Sequence, residues 1–197
     1  MGLRHLLCTL ALFIPLSSGA QVTDAPRAVT VKLGAGVEGY TGNLGDAYEI
    51  GPLAGVAVAL HPVPAVGVEL SYSVALHQVA TGTDGGLVDG YDVIRQGPQA
   101  TLTLGPLLAS EIRPYVFSGL GLSWTHVRGE DSPVYRDDAD VYLPLGGGLS
   151  VSSGRLSLDA RLGYQVLFGQ GSVDAPEGGA AASGGRYQAL VSLGLTL

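Results

Sequence analysis

The sequence predicts an all-β fold, an eight-stranded antiparallel up-and-down transmembrane β-barrel. Apolar and polar residues alternate with a period of two in eight separate segments, which is the pattern of strands with one apolar face. The mean hydropathy is +0.33, yet no apolar run after residue 20 reaches the length of a membrane helix. A barrel produces this combination because every strand joins an apolar face to a polar one.

The start of the chain has the three parts of a secretory signal peptide. A short segment carries an arginine, residues 6–16 are apolar, and small residues end at Ala20. The apolar run is too short to span a bilayer as a helix. We therefore expect residues 1–20 to be cleaved off, residues 21–28 to form a short polar lead, and residues 29–197 to form the barrel.

Cys8 is the one cysteine of the chain, and it lies within the apolar run of this leader. It follows Leu6 and Leu7 rather than the small residues that lipoprotein processing requires, so we expect no lipid anchor. The mature chain would then have neither disulfides nor thiolate metal ligands. The formal net charge of −7 argues against nucleic acid as a partner, which needs a basic surface. We expect no cofactor.

The first predicted strand illustrates the alternation. Val31 and Leu33 fall on one face, while Lys32 and Glu38 fall on the other. The fourth strand contains Pro98, which a central ladder position tolerates poorly. The eight predicted strands cover residues 29–40, 50–61, 65–76, 92–104, 112–126, 140–151, 155–167 and 186–197.

The connections between these strands alternate in length. The turn at Gly154 is a tight hairpin, because glycine accepts the positive φ that such turns need. Transmembrane barrels have short turns at one end and longer loops at the other, and a soluble sandwich has no reason to sort its loops in this way. The short connections are 62–64, 105–111 and 152–154, and the long ones are 41–49, 77–91, 127–139 and 168–185.

Aromatic residues of the apolar face lie at the long-loop ends of their strands. At that level they would meet the lipid headgroups, as the aromatic girdle of a barrel does. Strand propensity alone would not select one end and one face. The predicted membrane-interface aromatics are Tyr72, Trp124, Tyr164 and Tyr187.

The opposite, inward face carries a nearly balanced set of charges. Eight strands enclose an interior just wide enough for side chains, and charges buried there must pair because an isolated ion costs several kcal/mol or more. We expect a salt-bridged plug with Glu69, Asp159 and Arg161 near the middle; the alternative is a narrow water-filled pore lined by the same groups. The predicted lumen charges are Lys32, Glu38, Glu69, Arg95, Arg113, Asp159 and Arg161.

The long loops hold most of the acidic residues. Carboxylate oxygens suit Ca²⁺ or Mg²⁺, and the best local cluster is Asp137-Asp138-Ala139-Asp140. No calcium-loop spacing is present, so solvated loops are the simpler interpretation and no metal site is predicted. The acidic residues assigned to the loops are Asp46, Glu49, Asp84, Asp89, Asp92, Glu130, Asp131, Asp137, Asp138, Asp140, Asp174 and Glu177.

A catalytic alternative depends on His126, which lies near Trp124 on the apolar face of the fifth strand. It is the best candidate base for a lipid-modifying hydrolase, but Ser123 points to the other face and no nucleophile elbow or metal-binding histidine pair is present. His61 and His77 lie at strand ends and are expected to be solvated. We therefore expect no catalytic residues.

Three stretches carry a family resemblance: Arg113-Pro114-Tyr115 at the start of a strand that continues through Gly119 and Gly121, the segment Leu156-Ser157-Leu158-Asp159-Ala160-Arg161, and the terminal strand. Over residues 29–197 the chain resembles the small eight-stranded outer-membrane barrels, the OmpA-like and OmpX-like group that includes porin-family β-barrel domains. This resemblance implies the bacterial outer membrane, with lipid, lipopolysaccharide and the barrel-insertion machinery as partners. Leu197 stands where such barrels usually end in an aromatic residue, and we expect no OmpA peptidoglycan-binding domain.

The function expected from these features is a non-catalytic structural or surface-interaction role, with acidic loops facing outward. The first alternative is a passive channel or transporter for small or apolar solutes, in which Pro98 and Pro144 favour a lateral opening because each removes a ladder donor. The second is a lipid A-modifying enzyme that uses His126. A soluble periplasmic barrel is disfavoured because its apolar outer faces would remain exposed to water.

Overall fold

The computed structural model describes residues 28–42, 44–45, 48–78, 92–106, 111–128, 138–168 and 184–197. In this part of the chain eight strands form one closed antiparallel barrel in which each strand pairs with its sequence neighbours and the last pairs with the first. The predicted fold class is confirmed. The predicted signal peptide and most of the polar lead lie outside the described residues. The strands are β1 (Ala28–Tyr40), β2 (Gly51–Val63), β3 (Val66–Gln78), β4 (Asp92–Leu104), β5 (Ile112–Arg128), β6 (Asp138–Ser153), β7 (Leu156–Phe168) and β8 (Gly185–Thr196).

The register staggers the strands by ten residues around the barrel. Followed partner by partner from Val29 of β1, the pairing passes through all eight strands and returns to β1 at Gly39. Stagger and strand number together set the tilt of the strands, which in such barrels is typically about 35–45°, and eight strands leave room inside for side chains only. The lumen is therefore filled by whatever the inward face of each strand carries.

The two faces of the barrel have opposite chemistry. Large apolar side chains point outward, and Leu33, Leu162 and Leu193 are 66%, 69% and 69% exposed. Charged and hydroxyl-bearing side chains point inward and are buried. This inversion of the usual soluble pattern follows from the period of two in the sequence, and it suits a surrounding of lipid. No helix among the described residues is long and apolar enough to cross a membrane.

Strand bounds differ from the sequence prediction by up to two residues, and β6 begins at Asp138, a residue that was assigned to an acidic loop. Asp140 was counted both as the first residue of the sixth predicted strand and among the acidic loop residues; it lies inside β6 and is buried at 8% exposure. It pairs in register with Ser123 on the inner face of β5. The assignment of Asp140 to the solvated loops is therefore wrong, because the alternation of β6 continues through it.

Two prolines interrupt the sheet on either side of β5. The β4–β5 pairing breaks between the partners of Gln96 and Gln99, where Pro98 lies. The β5–β6 pairing breaks between the partners of Leu145 and Tyr142, where Pro144 lies. Neither proline has an N–H to donate, while their pairing with β3 and β7 persists. The middle of β5 thus has weakened ladders on both sides.

Candidate functional site

The lumen holds a group of ionic and phenolic side chains that we call the lower cluster: Lys32, Glu69, Tyr115, Asp159 and Arg161. The Arg161 guanidinium donates to both oxygens of Glu69, at 2.7 and 3.0 Å. Lys32 donates to Glu69 at 2.9 Å and lies 3.6 Å from Asp159. Two cations thus neutralise two carboxylates, and all four charged side chains are no more than 10% exposed.

The remaining acceptor capacity of Asp159 is taken up by neighbours. The Tyr115 hydroxyl lies 2.9 Å from each of its oxygens, and Arg161 Nε donates to it at 3.2 Å. Tyr115 comes from β5, so the cluster joins β1, β3, β5 and β7. Alternate strands around the whole barrel are therefore tied together through one set of side chains.

A second group, the upper cluster of Glu38, His77 and Arg95, lies nearer the long-loop end. Arg95 donates to both Glu38 oxygens, at 2.8 and 2.6 Å, and also to Ser73 at 3.0 Å. His77 Nε2 lies 3.2 Å from Glu38 and its Nδ1 lies 3.1 Å from the Glu49 carbonyl. His77 is 2% exposed, so the expectation that it is solvated is wrong. Although His77 lies near the end of β3, its side chain points into the lumen and is therefore shielded from solvent.

Two residues beside the upper cluster were not singled out from the sequence. Arg186 is 1% exposed, donates to Ser123 at 3.1 Å, and places its guanidinium 4.8 Å from the centre of the Tyr142 ring. Tyr142 itself is fully buried. The alternation of the strands could have identified both residues. Arg186 lies two residues from inward-facing Gln188 on β8, and Tyr142 lies two residues from inward-facing Asp140 on β6.

Arg113, the last of the seven predicted lumen charges, joins neither cluster. It lies at the short-turn end, half-buried, and donates to Thr103 at 3.0 Å. Its guanidinium lies 5.9 Å from the centre of the Tyr115 ring. The other six are distributed between the two clusters, so the structure brings together most of the predicted lumen set and leaves one cation apart.

The predicted interface aromatics lie on the outer surface. Tyr72, Trp124 and Tyr164 are 41%, 40% and 37% exposed, and Tyr187 is half-buried opposite Tyr164 in the register. The Tyr164 hydroxyl lies 3.1 Å from the Thr41 hydroxyl, beyond the end of β1. The four side chains therefore lie on the outer wall, and the Tyr164 hydroxyl reaches the long connection that follows β1.

The remaining candidates from the sequence are the catalytic histidine and the acidic metal ligands. His126 is exposed on the outer face of β5. Within the described ranges no three His, Cys, Asp or Glu side chains are arranged to hold a metal ion. The acidic residues Asp46, Asp84, Asp89, Glu130, Asp131, Asp137, Asp174 and Glu177 lie outside those ranges.

A closed barrel with an apolar exterior and an ion-paired lumen defines the chain as a small eight-stranded outer-membrane β-barrel. Solved structures have the same fold. Neisserial surface protein A (NspA) superposes with a TM-score of 0.62 at 15% identity, covering 85% of this chain and 96% of that one. Ail, the attachment invasion locus protein of Yersinia pestis, superposes with a TM-score of 0.56 at 11% identity, covering 87% and 99%.

At these identities the likeness is one of fold. The N-terminal barrel domain of Pseudomonas aeruginosa OprF also matches, with a TM-score of 0.47 at 17% identity over 85% of this chain and 97% of that one. No protein-family model and no curated protein matches the sequence. The resemblance to small outer-membrane barrels is confirmed at the level of architecture.

Proposed function

We propose that this protein is a non-conducting, non-catalytic outer-membrane barrel that anchors its long loops at the cell surface for interaction with lipopolysaccharide or external ligands. The observation that carries the proposal is the lower cluster, in which Arg161 reaches Glu69 across the lumen. Ions held in bidentate pairs inside a narrow barrel occupy the path that a permeating solute would need. The upper cluster adds a second obstruction nearer the loops.

Stability is the second argument for a scaffold role. Removing one partner of a buried ion pair typically costs about 3–5 kcal/mol, because the other charge is left uncompensated. The clusters connect strands that are not neighbours in the sheet, so they brace the barrel against deformation. A rigid support is what surface loops need if they are to present a binding surface.

The acidic charge of the chain favours a particular kind of surface partner. The chain has a formal net charge of −7, and most of its acidic residues were assigned to the long connections. Acidic loops approach the phosphates of lipopolysaccharide only through bridging divalent cations, which bind hard oxygen ligands. NspA is named a surface protein and Ail an attachment protein, and Ail has been solved with the heparin analogue sucrose octasulfate. An acidic surface repels a polyanion such as sucrose octasulfate, so we propose cation-bridged contacts for this chain.

Conductance tests the closed lumen. Purified protein, shown to be folded by a mobility shift between unboiled and boiled gel samples, is inserted into planar bilayers. We expect current at background level for the wild type and measurable conductance once both clusters are opened, by Glu69→Ala and Arg161→Ala combined with Glu38→Ala and Arg95→Ala. Glu49→Gln, at an exposed position, is the matched control. Clear conductance from folded wild-type protein would refute the proposal.

Lipopolysaccharide binding tests the partner. Folded protein in detergent is expected to retain lipopolysaccharide in the presence of Mg²⁺ and to release it on addition of a chelator. Binding that is unaffected by chelation would exclude the cation-bridged contact.

A passive route for apolar solutes is the second candidate, favoured by the weakened ladders around the middle of β5. On this alternative a solute would leave the lumen sideways between β4, β5 and β6. Uptake of an apolar probe into proteoliposomes, abolished by a disulfide across β5 and β6, would favour it over the scaffold role.

A further inference from the structure

A cavity of about 210 Å³ lies in the lumen at the short-turn end, and we call it the lower cavity. Its lining includes Lys32, Glu69 and Asp159 of the lower cluster, together with His61 and Arg113. At roughly 30 Å³ per water molecule, this space equals about seven waters. It is large enough for a small ion and too small for a polymer.

Two inward glycines let polar side chains approach the barrel wall near the cavity. A Cβ atom at Gly67, which lines the cavity, would lie 2.5 Å from the Thr103 hydroxyl and 2.9 Å from His61 Nε2. A Cβ atom at Gly194 would collide with the Ser157 hydroxyl. Because neither position carries a side chain, these hydrogen-bonding groups lie close to the backbone at the short-turn end of the lumen.

Charge within the cavity is unevenly compensated. Glu69 and Asp159 are engaged by Lys32 and Arg161. Arg113, by contrast, forms no ion pair with a carboxylate in the described part of the chain; Glu111, which also lines the cavity, is exposed and makes no such contact with it. Among the described residues, Arg113 therefore faces the cavity without a carboxylate in contact.

Hydrogen-bonding capacity is also left over. Arg113 donates to Thr103 through Nη2, while its Nε is buried with no hydrogen-bond partner among the residues described. The Ser157 hydroxyl on β7, two strands along the ring from Arg113 on β5, is likewise buried and without a hydrogen-bond partner among the described residues. Buried polar atoms are normally satisfied, so each such exception needs a reason.

We propose that the lower cavity binds a small oxyanion, a phosphate or carboxylate group, with Arg113 as its principal ligand and Ser157 and His61 as further contacts. A guanidinium presents a planar set of donors that matches such groups, and charge-assisted bonds of this kind are the strong ones. An oxyanion would supply the contact ion pair that Arg113 lacks among the described residues and the acceptor that its Nε lacks. The site opens at the short-turn end, which faces the periplasm in outer-membrane barrels.

An NMR titration of folded, ¹⁵N-labelled protein in detergent micelles tests the site. Inorganic phosphate and succinate are added separately, with sodium chloride holding the ionic strength constant. We expect saturable shifts at the amides of residues 111–113 and 157–159 with at least one anion, and the tighter of the two identifies the preferred group. Arg113→Gln is expected to weaken that binding by about tenfold or more.

Arg155→Gln is the matched control, because Arg155 is an exposed arginine at the same end of the barrel. It should bind as the wild type does. Gly67→Ala keeps every charge but would force Thr103 or His61, both of which line the cavity, to move, so it should also weaken binding. The boiled and unboiled gel comparison establishes that each variant is folded.

Three results would overturn the site: no saturable shifts with either anion, equal weakening by Arg113→Gln and Arg155→Gln, or shifts that follow chloride alone. The proposed closed lumen is tested separately by conductance. Failure of one therefore leaves the other standing, because an anion can enter from the short-turn end without crossing the barrel.

Discussion

Glu69 of β3 and Arg161 of β7 are joined by two hydrogen bonds of 2.7 and 3.0 Å, although their strands are four apart in the eight-stranded ring. That is the largest separation the ring allows, so the pair crosses the full width of the lumen. No ladder of backbone hydrogen bonds connects these strands. The ion pair is thus a direct tie between opposite walls.

Replacing only one residue of the Glu69–Arg161 pair should destabilise the barrel more, for each residue changed, than replacing both. Glu69→Ala leaves Arg161 buried without its main counter-charge and is expected to lower the free energy of unfolding by about 3–5 kcal/mol. The double variant with Arg161→Met is expected to lose less than the sum of the two single losses, since no orphan charge remains. Urea unfolding in detergent measures all four corners of the cycle. Additive losses within 0.5 kcal/mol would show that the pair is not coupled.

The apolar outer face predicts a membrane-dependent cost at Leu193, which is 69% exposed. Leu193→Arg puts a charge against lipid and should cost about 2–4 kcal/mol if the position lies near the bilayer midplane. The same change on a water-exposed surface would cost within about 0.5 kcal/mol. Folding into lipid vesicles measures the difference. Exposed Arg155→Leu is the reverse control, and a negligible cost at Leu193 would contradict lipid contact.

Close packing in the lumen predicts that Gly121 tolerates no side chain. A Cβ atom there would collide with the ring of Tyr142, which is fully buried. Gly121→Val is expected to abolish the heat-dependent mobility shift, because overpacking costs at least about 1–3 kcal/mol. Combining it with Tyr142→Ala should restore folding in part. Normal folding of the single variant would show that the ring is free to move.

The weakened ladders around Pro98 predict local hydrogen exchange. Backbone amides of residues 119–122 in the middle of β5 should exchange faster than the rest of that strand. Pro98→Val supplies the absent N–H, so it should slow exchange there and add about 1 kcal/mol of stability. Pro52→Val is the control, because Pro52 keeps its register with Val37. Uniform exchange along β5 would argue that the gaps have no energetic effect.

Much of the architecture could be predicted from local sequence. The period of two placed every described strand within two residues of its observed bounds, because alternation reports directly which face meets lipid. Pro98 did not end β4, since the proline lies at a position where its missing donor faces β5 alone. The parity of each strand also indicated which charges point inward.

The alternation of residues shows which charges face the lumen, but it does not show which of them form pairs. Pairing depends on the stagger between strands that are distant in the chain. His77 and Asp140 illustrate the limit: both lie close to a strand end, where a shift of one or two residues separates a solvated loop from a buried wall. Arg186 and Tyr142 were overlooked for a related reason, since their contact joins β8 to β6 across a strand between them.

The sequence by itself determined that this chain forms an eight-stranded barrel with apolar groups outside and charges inside, because a strand's two faces are written in alternate residues. Only the tertiary structure decided that Arg161 meets Glu69, that Arg95 meets Glu38, and that Arg113 is left facing a cavity. Closure of the barrel with a fixed stagger sets the position of every lumen side chain along the barrel axis. Two buried charges can pair only when they lie at the same level along that axis, and the local sequence pattern contains no information about this level.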